Sequence, residues 1–269
     1  MNLAEMLDVY WLYALVGQYP KGPLGGLALT VLLALAGMGL ALPLGVALGI
    51  ARVSPRAWLR WPVTAWVFVV RGTPLLMVVF WAYFFLPSVT GQKTGQFATM
   101  LAALVIFDAA YLAEIVRAGL SALPEGQLQA ARALGMTQGQ ALRFVLLPQA
   151  LRRMLPSLVN QLASTIKQTS LGTIIGLSEL SFIANQINAQ VLVQPVAVYG
   201  TLAASYFVLC FGLSRLAHGL ERRGAAREIA QSAPAQSSSR TTAKPRAVGS
   251  SPKRPTARPA SSAGMLNAR

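Results

Sequence analysis

The 269 residues are 54% hydrophobic and only 12% charged, yet carry a formal net charge of +15. Residues 22–51 and 180–214 hold no charged residue at all, and about 20 apolar residues suffice for a helix to cross the hydrocarbon, so a soluble domain is excluded. The positive excess, which in a soluble chain would point to nucleic acid, is split here between the flanks of the apolar runs and residues 225–269, with eight Lys/Arg and one Glu; no nucleic-acid partner is expected.

In chain order, residues 1–23 form an extracytoplasmic lead-in. The start has no basic region and does not read as a cleaved signal peptide, and Tyr10, Trp11, Tyr13 and Tyr19 suit an outer membrane interface. A first span is expected near 24–50. Gly37/Ala41 and Gly45/Gly49 are small-xxx-small pairs that permit close helix contact, and Pro43 predicts a kink. A second span, near 62–86, follows Trp58, Trp61 and Trp66 and is interrupted by Arg71-Gly-Thr-Pro74. Arg71 reads either as an arginine snorkelling to the interface or as a ligand to cargo. A third span, near 97–123, carries Asp108, Glu114 and Arg117; the last two, three residues apart, can pair on one helix face.

Between the third and fourth spans lies a polar, patterned segment, about 124–155. Gln127, Ala130, Ala131 and Leu134 recur at i, i+3, i+4, i+7, so a short helix would present a flat face of small residues. Gly135 suits its C-terminus, and Thr137 could open a second short helix running to Pro148. The face either packs on its own bundle or is gripped by a soluble partner. A fourth span, near 156–177, places Lys167 about eleven residues, or roughly 16 Å, from its start. Gln168, Thr169, Ser170 and Gly172 follow, which reads as an interrupted helix lining a cavity. Lys167 is then either balanced internally by Asp108 or Glu114 or in contact with cargo. A fifth span is expected near 195–217, and residues 222–269 form a basic cytoplasmic tail too poor in apolar residues to order.

All five spans read as helices, since nothing shows the ten-residue alternation of a membrane barrel. Lys21 and Lys93 mark one side; Arg52, Arg56, Arg60, Arg117, Arg132, Arg143, Arg152, Arg153, Arg215, Arg222 and Arg223 mark the other. This asymmetry places the N-terminus outside and the C-terminus, with the 124–155 loop, in the cytoplasm. A phosphate-cradling Gly-x-x-x-x-Gly-Lys-Ser/Thr loop is absent, as are paired metal ligands and a nucleophile–base arrangement. His218 and Cys210 each stand alone in the sequence. The chain is expected to bind no cofactor or metal and to catalyse nothing itself.

The segments Ala109-Ala-Tyr-Leu-Ala-Glu-Ile-Val-Arg-Ala-Gly119, Pro124-Glu-Gly-Gln, Ala130-Ala-Arg-Ala-Leu-Gly-Met and Leu147-Pro-Gln-Ala resemble the permease subunits of polar amino-acid ABC importers. Arg71-Gly-Thr-Pro-Leu-Leu76, Pro156-Ser-Leu-Val-Asn160, Lys167-Gln-Thr-Ser-Leu171 and Glu179-Leu180 fit the same pattern in the same order. The resemblance covers about residues 24–220 and is closest to the group moving glutamate, aspartate, glutamine, histidine or arginine. It implies a five-helix type I importer subunit in a bacterial inner membrane, paired with an identical or homologous permease subunit. Two cytoplasmic ATPase subunits, which use the ATP and Mg²⁺, and an extracytoplasmic binding protein complete such an importer. It also implies that 126–148 is the coupling loop, with Gly126, Gln127, Gln129, Ala130, Ala131, Leu134, Gly135 and Pro148 at the ATPase. The usual loop signature has Glu where this chain has Gln129, which removes a carboxylate. The substrate-path candidates are Lys167, Gln168, Thr169, Ser170, Arg71, Asp108 and Glu114, and alternating access is the implied mechanism. An ion-gradient-driven secondary transporter is the alternative in another class, and a non-transporting scaffold a third.

Overall fold

A computed structural model describes residues 3–91, 94–191 and 195–232, all of them helix, turn or loop with no strand. The helices are α1 (Leu3–Val16), α2 (Gly26–Arg52), α3 (Ala57–Gly72), α4 (Leu75–Phe80), α5 (Leu86–Thr90), α6 (Gln96–Ser121), α7 (Glu125–Ala133), α8 (Gln138–Gln140), α9 (Leu147–Gln168), α10 (Leu180–Val191) and α11 (Pro195–Ser232). π-helical turns join α4 to α5 (Trp81–Phe85) and α8 to α9 (Ala141–Leu146), and a 3-10 segment, Thr169–Ile175, follows α9.

Helices α2, α6 and the Pro195–Arg222 part of α11 are long and apolar enough to cross a membrane; α3 with α4–α5 makes a fourth candidate, bent by 99°. The bend falls at the Arg71-Gly-Thr-Pro74 interruption expected within the second span. Thr73 is extended and Pro74 follows it, with neither continuing the α-helical ladder. Helix α9 was expected as a span beginning near 156; it starts nine residues earlier and is too polar to pass as a lipid-facing span.

The core is built on α2 against α6. Leu29, Leu33, Met100, Leu104 and Phe107 are buried with Leu75 and Val79 of α4 and Ile175. The small-residue pairs lie on this contact: a Cβ added to Gly45 would stand 2.4 Å from Leu112 Cβ, and one on Gly49 2.6 Å from Val116 Cβ. Pro43 does not interrupt α2. Gly37 meets Leu104, Gly45 meets Leu112 and Gly49 meets Val116, so residue numbers rise together and the two helices run parallel. Gly119 faces Met154, whereas Asp108 meets Gln161 and Thr165, so α9 runs antiparallel to α6. Helix α11 is antiparallel to α9 in turn, since Cys210 bonds near Ala163 while Tyr206 reaches Glu179 beyond the end of α9.

Both π turns precede a proline by two residues, Pro87 and Pro148. A proline donates no hydrogen bond and crowds the carbonyl of the preceding turn; the wider π turn relieves the crowding. The second short helix expected to stop at Pro148 therefore does not stop: from Thr137 the chain runs helically through Pro148 into α9. The lead-in 1–23 contains α1, whose Tyr13 hydroxyl donates to the Gln186 side chain on α10. Helix α11 runs on to Ser232, so the first residues of the expected unordered tail 222–269 are helical, and the rest of it lies outside the described residues.

Candidate functional site

Two regions carry the chemistry. At one end of the bundle, Pro124 precedes α7, and Glu125 occupies its first turn. At the other terminus of α7, Met136 N–H donates to Ala131 O (3.1 Å) and Gly135 N–H to Arg132 O (2.9 Å), with Gly135 at φ +81°. This is a Schellman cap, and glycine supplies the left-handed residue without a Cβ penalty. Two residues on, Thr137 opens α8 with a reciprocal capping box to Gln140. Both ends of the connection are thus fixed by local bonds, and the segment is a shaped element rather than a slack linker.

The face that α7 offers differs from the one the spacing suggests. Ala131 is only 4% exposed, turned inward toward the π turn that leads into α9, with buried Ala141. Gln127, Ala130 and Leu134 stay exposed, Leu134 at 80%, as do Gly126, Gln129, Gly135 and Pro148. Gln149 of α9 donates to Gln127 Oε1 at 3.4 Å and steadies the helix against the bundle. The small face is divided between the two residues: Ala131 packs on its own chain, and Ala130 faces out. Beside α7, a cavity of about 780 Å³ separates it from the α2–α3 turn, with Val53, Arg56, Leu59, Glu125, Leu128 and Leu142 among its walls.

Within the bundle, three carboxylates knit helices together. Asp108, fully buried on α6, accepts from Gln161 Nε2 and Thr165 Oγ1 of α9, each at 2.9 Å. Glu114 accepts from Arg52 of α2 and from Arg117 Nε at 3.1 Å, and Arg71 Nη1 of α3 lies 3.4 Å away. Arg71 also stacks over Tyr111, 5.2 Å from the ring centroid. The Glu114–Arg117 pair matches the sequence spacing; Arg52 and Arg71, 62 and 43 residues upstream, join it through the fold. Glu179, fully buried, accepts from the backbone N–H of Ser181 and Phe182 at 2.9 Å each and from the Tyr206 hydroxyl at 3.0 Å, so it caps α10 and holds α11. Leu180 N–H donates to Thr30 Oγ1, which brings in α2.

Lys167 is the exception. Among the described residues neither Asp108 nor Glu114 forms an ion pair with it, which overturns the internal pairing entertained from sequence. Its side chain is exposed on α9, one residue before the α-helix ends at Gln168. Thr169 is buried and bonds to Ile166 O, and Ser170 to Lys167 O, as the chain tightens into the 3-10 segment. Gln161, Thr165 and Tyr206 were not singled out by sequence, and Arg52 only as a marker of membrane side; the i, i+4 spacing of Gln161 and Thr165 was the available signal.

The family model described as binding-protein-dependent transport system inner membrane component matches residues 41–224. The chain is 34% identical over 202 residues to the arginine transport system permease protein ArtQ of Bacillus subtilis, an alignment covering 74% of this chain and 91% of that protein. A solved amino acid ABC transporter with histidines superposes with a TM-score of 0.72 and 30% identity, over 83% of this chain and 99% of the other. The methionine ABC transporter MetNI, in an inward-facing conformation, superposes with a TM-score of 0.57 and 25% identity, over 72% and 91%. These matches carry no support for the ion-gradient alternative. The shaped connection at α7, the carboxylate-knitted bundle and these likenesses agree: the chain belongs to the binding-protein-dependent transport system inner membrane components, as a permease subunit of the amino-acid ABC importer type with an ATPase partner, and is not itself an enzyme.

Proposed function

We propose that the chain imports a polar amino acid across a bacterial cytoplasmic membrane by alternating access, with α7 receiving the mechanical input from separate ATPase subunits. The observation that carries the reading is the capped, rigid α7 with Gln127, Ala130 and Leu134 turned outward. Partner and bundle are then joined without slack: α7 rests through Ala131 on the π turn that leads into α9, and α9 is tied to α6 through Asp108. A displacement of α7 is transmitted along packed helices rather than absorbed by a loop.

Five passes with the N-terminus outside fit the alternating helix directions. Helices α2, α6 and α11 descend, the broken α3–α5 unit and α9 ascend, and the arginines gather at the α7 end. The polar side of α9 needs a neighbour that shields it from lipid while leaving it wet, which supports pairing with a second, identical or homologous, permease subunit across a water-filled path. An extracytoplasmic binding protein delivering cargo completes the reading, and the path candidates remain Lys167, Gln168, Thr169, Ser170 and Arg71, with Asp108 and Glu114 as the struts that hold them.

The test contrasts neighbouring alanines. Ala130→Trp changes only an exposed face, so the permease should insert at the normal level while ATPase co-purification falls about tenfold or more, the loss of one central anchor worth roughly 1.4 kcal/mol or more. Full ATPase recovery with Ala130→Trp would remove α7 as the docking element. Ala131→Trp should instead lower the yield of folded permease, because its side chain has no room.

A further inference from the structure

Helix α9 carries a face that no hydrocarbon can accommodate. Ser157, Asn160, Ser164 and Lys167 recur at i, i+3, i+7 and i+10, so they fall within one narrow sector of the helix. Ser157, Asn160 and Lys167 are exposed and Ser164 is partly so, whereas the flanking faces are occupied: Gln161 and Thr165 point to Asp108 on α6, and Ala163 meets Cys210 of α11. Leucines fill the far side, with Leu155 45% exposed. The stripe spans about 15 Å along the helix at 1.5 Å per residue, roughly half the hydrocarbon thickness.

A lysine facing lipid near mid-bilayer costs about 2.5–3.5 kcal/mol, before the amide and hydroxyls are counted. Pairing with an internal acid would remove that cost, but the three carboxylates of the bundle are taken. Asp108 is held by Gln161 and Thr165, Glu114 by arginines, and Glu179 by two amides and Tyr206. The amide oxygen of Gln168, next to Lys167, is also buried without a hydrogen-bond partner. A polar wall topped by a cation with no carboxylate counter-ion among the described residues is suited to one chemistry.

Building on the importer reading, we infer that Ser157, Asn160 and Ser164 form a wet wall of the translocation path and that Lys167 at its end receives the carboxylate of the passing amino acid. Ser164 Oγ already donates to Asn160 O (3.2 Å), and water and cargo then supply partners for the Ser157, Asn160 and Lys167 side chains. The site recognises the carboxylate common to amino acids, so it favours cargo whose net charge is zero or negative over cationic cargo.

The experiment uses the assembled importer in vesicles with Cys210→Ala, carrying Ser157→Cys, Asn160→Cys, Ser164→Cys or, as the lipid-side control, Leu155→Cys. The probes are two water-soluble methanethiosulfonates, one anionic (sulfonatoethyl) and one cationic (trimethylammonioethyl). The three stripe cysteines should react and Leu155→Cys should not. At Ser164→Cys, about one turn from Lys167, the anionic probe should react about fivefold faster than the cationic one after correction for their intrinsic rates. Lys167→Gln should abolish that ratio. Stripe cysteines as inert as the Leu155 control would overturn the wet wall. A ratio near one with Lys167 intact, as when a neighbouring subunit's acid neutralises it, would overturn the carboxylate site. ATP-driven uptake by the parental complex is measured alongside; its absence would count against the importer reading itself, whatever the labelling shows.

Discussion

Asp108 illustrates how single residues are constrained in this bundle. A fully buried carboxylate is tolerated only with its lone pairs occupied, and Gln161 and Thr165 occupy them from the neighbouring helix. The two donors are not equal, because the Thr165 hydroxyl also lies 3.0 Å from Gln161 O and keeps that acceptor if Asp108 is removed. Asp108→Ala therefore strands chiefly the Gln161 amide, and should cost about 1–2 kcal/mol, the lower part of the range for an orphaned buried group. Thermal unfolding in detergent should show the loss, and the double variant with Gln161→Leu should recover part of it. An unchanged melting temperature for Asp108→Ala would mean that this tie contributes nothing to joining α6 and α9. Glu114 differs in kind: it gathers Arg52, Arg71 and Arg117 from three helices and remains partly open to solvent.

At the scale of elements, the decisive contact is α2 against α6, where glycines let two backbones approach. Membrane helices gain little from hydrophobic exclusion, so close packing has to supply the attraction. Gly45→Val places its Cβ 2.4 Å from Leu112 Cβ and 3.2 Å from the Ala109 carbonyl, against a helix face that cannot retreat. It should destabilise the purified subunit by about 1–3 kcal/mol. Gly39→Ala, on the same helix but with open space around it, is the matched control and should be neutral or slightly stabilising. Equal stability of the two variants would show that α2 and α6 are not held by this seam. The two π turns belong to the same scale: each converts a proline that would break a helix into a local widening.

For the molecule as a whole, the arrangement has two ends. One gathers Arg52, the α2–α3 turn and α7; the other holds Gly26 against Ser178 and Glu179, with Gln96 beside Gly176. If the arginine-rich end is cytoplasmic, then in permease expressed without the ATPase and with Cys210→Ala, Thr94→Cys should react with an impermeant thiol reagent in intact cells, and Leu134→Cys should react only after lysis. Both positions are exposed, so accessibility in the folded chain is not limiting. Labelling of Leu134→Cys in unbroken cells would invert the orientation and remove the docking reading with it.

What the chain announces by itself is a helical membrane protein, its polar connection and the cap chemistry of Gly135 and Thr137. Hydropathy runs, charge asymmetry and capping are local or one-dimensional properties, readable wherever neighbours along the chain decide the outcome. The Glu114–Arg117 pair was legible for the same reason, being three residues apart on one helix. Partnerships across 40 to 150 residues were not: which acid engages Gln161, which arginines converge on Glu114, and that Lys167 stands apart from both. Whether Ala130 or Ala131 faces outward was equally hidden, since adjacent small residues have the same pattern and differ only in what the π turn before α9 places beneath them. Packing made those choices, because only it sets which side of each helix is already occupied.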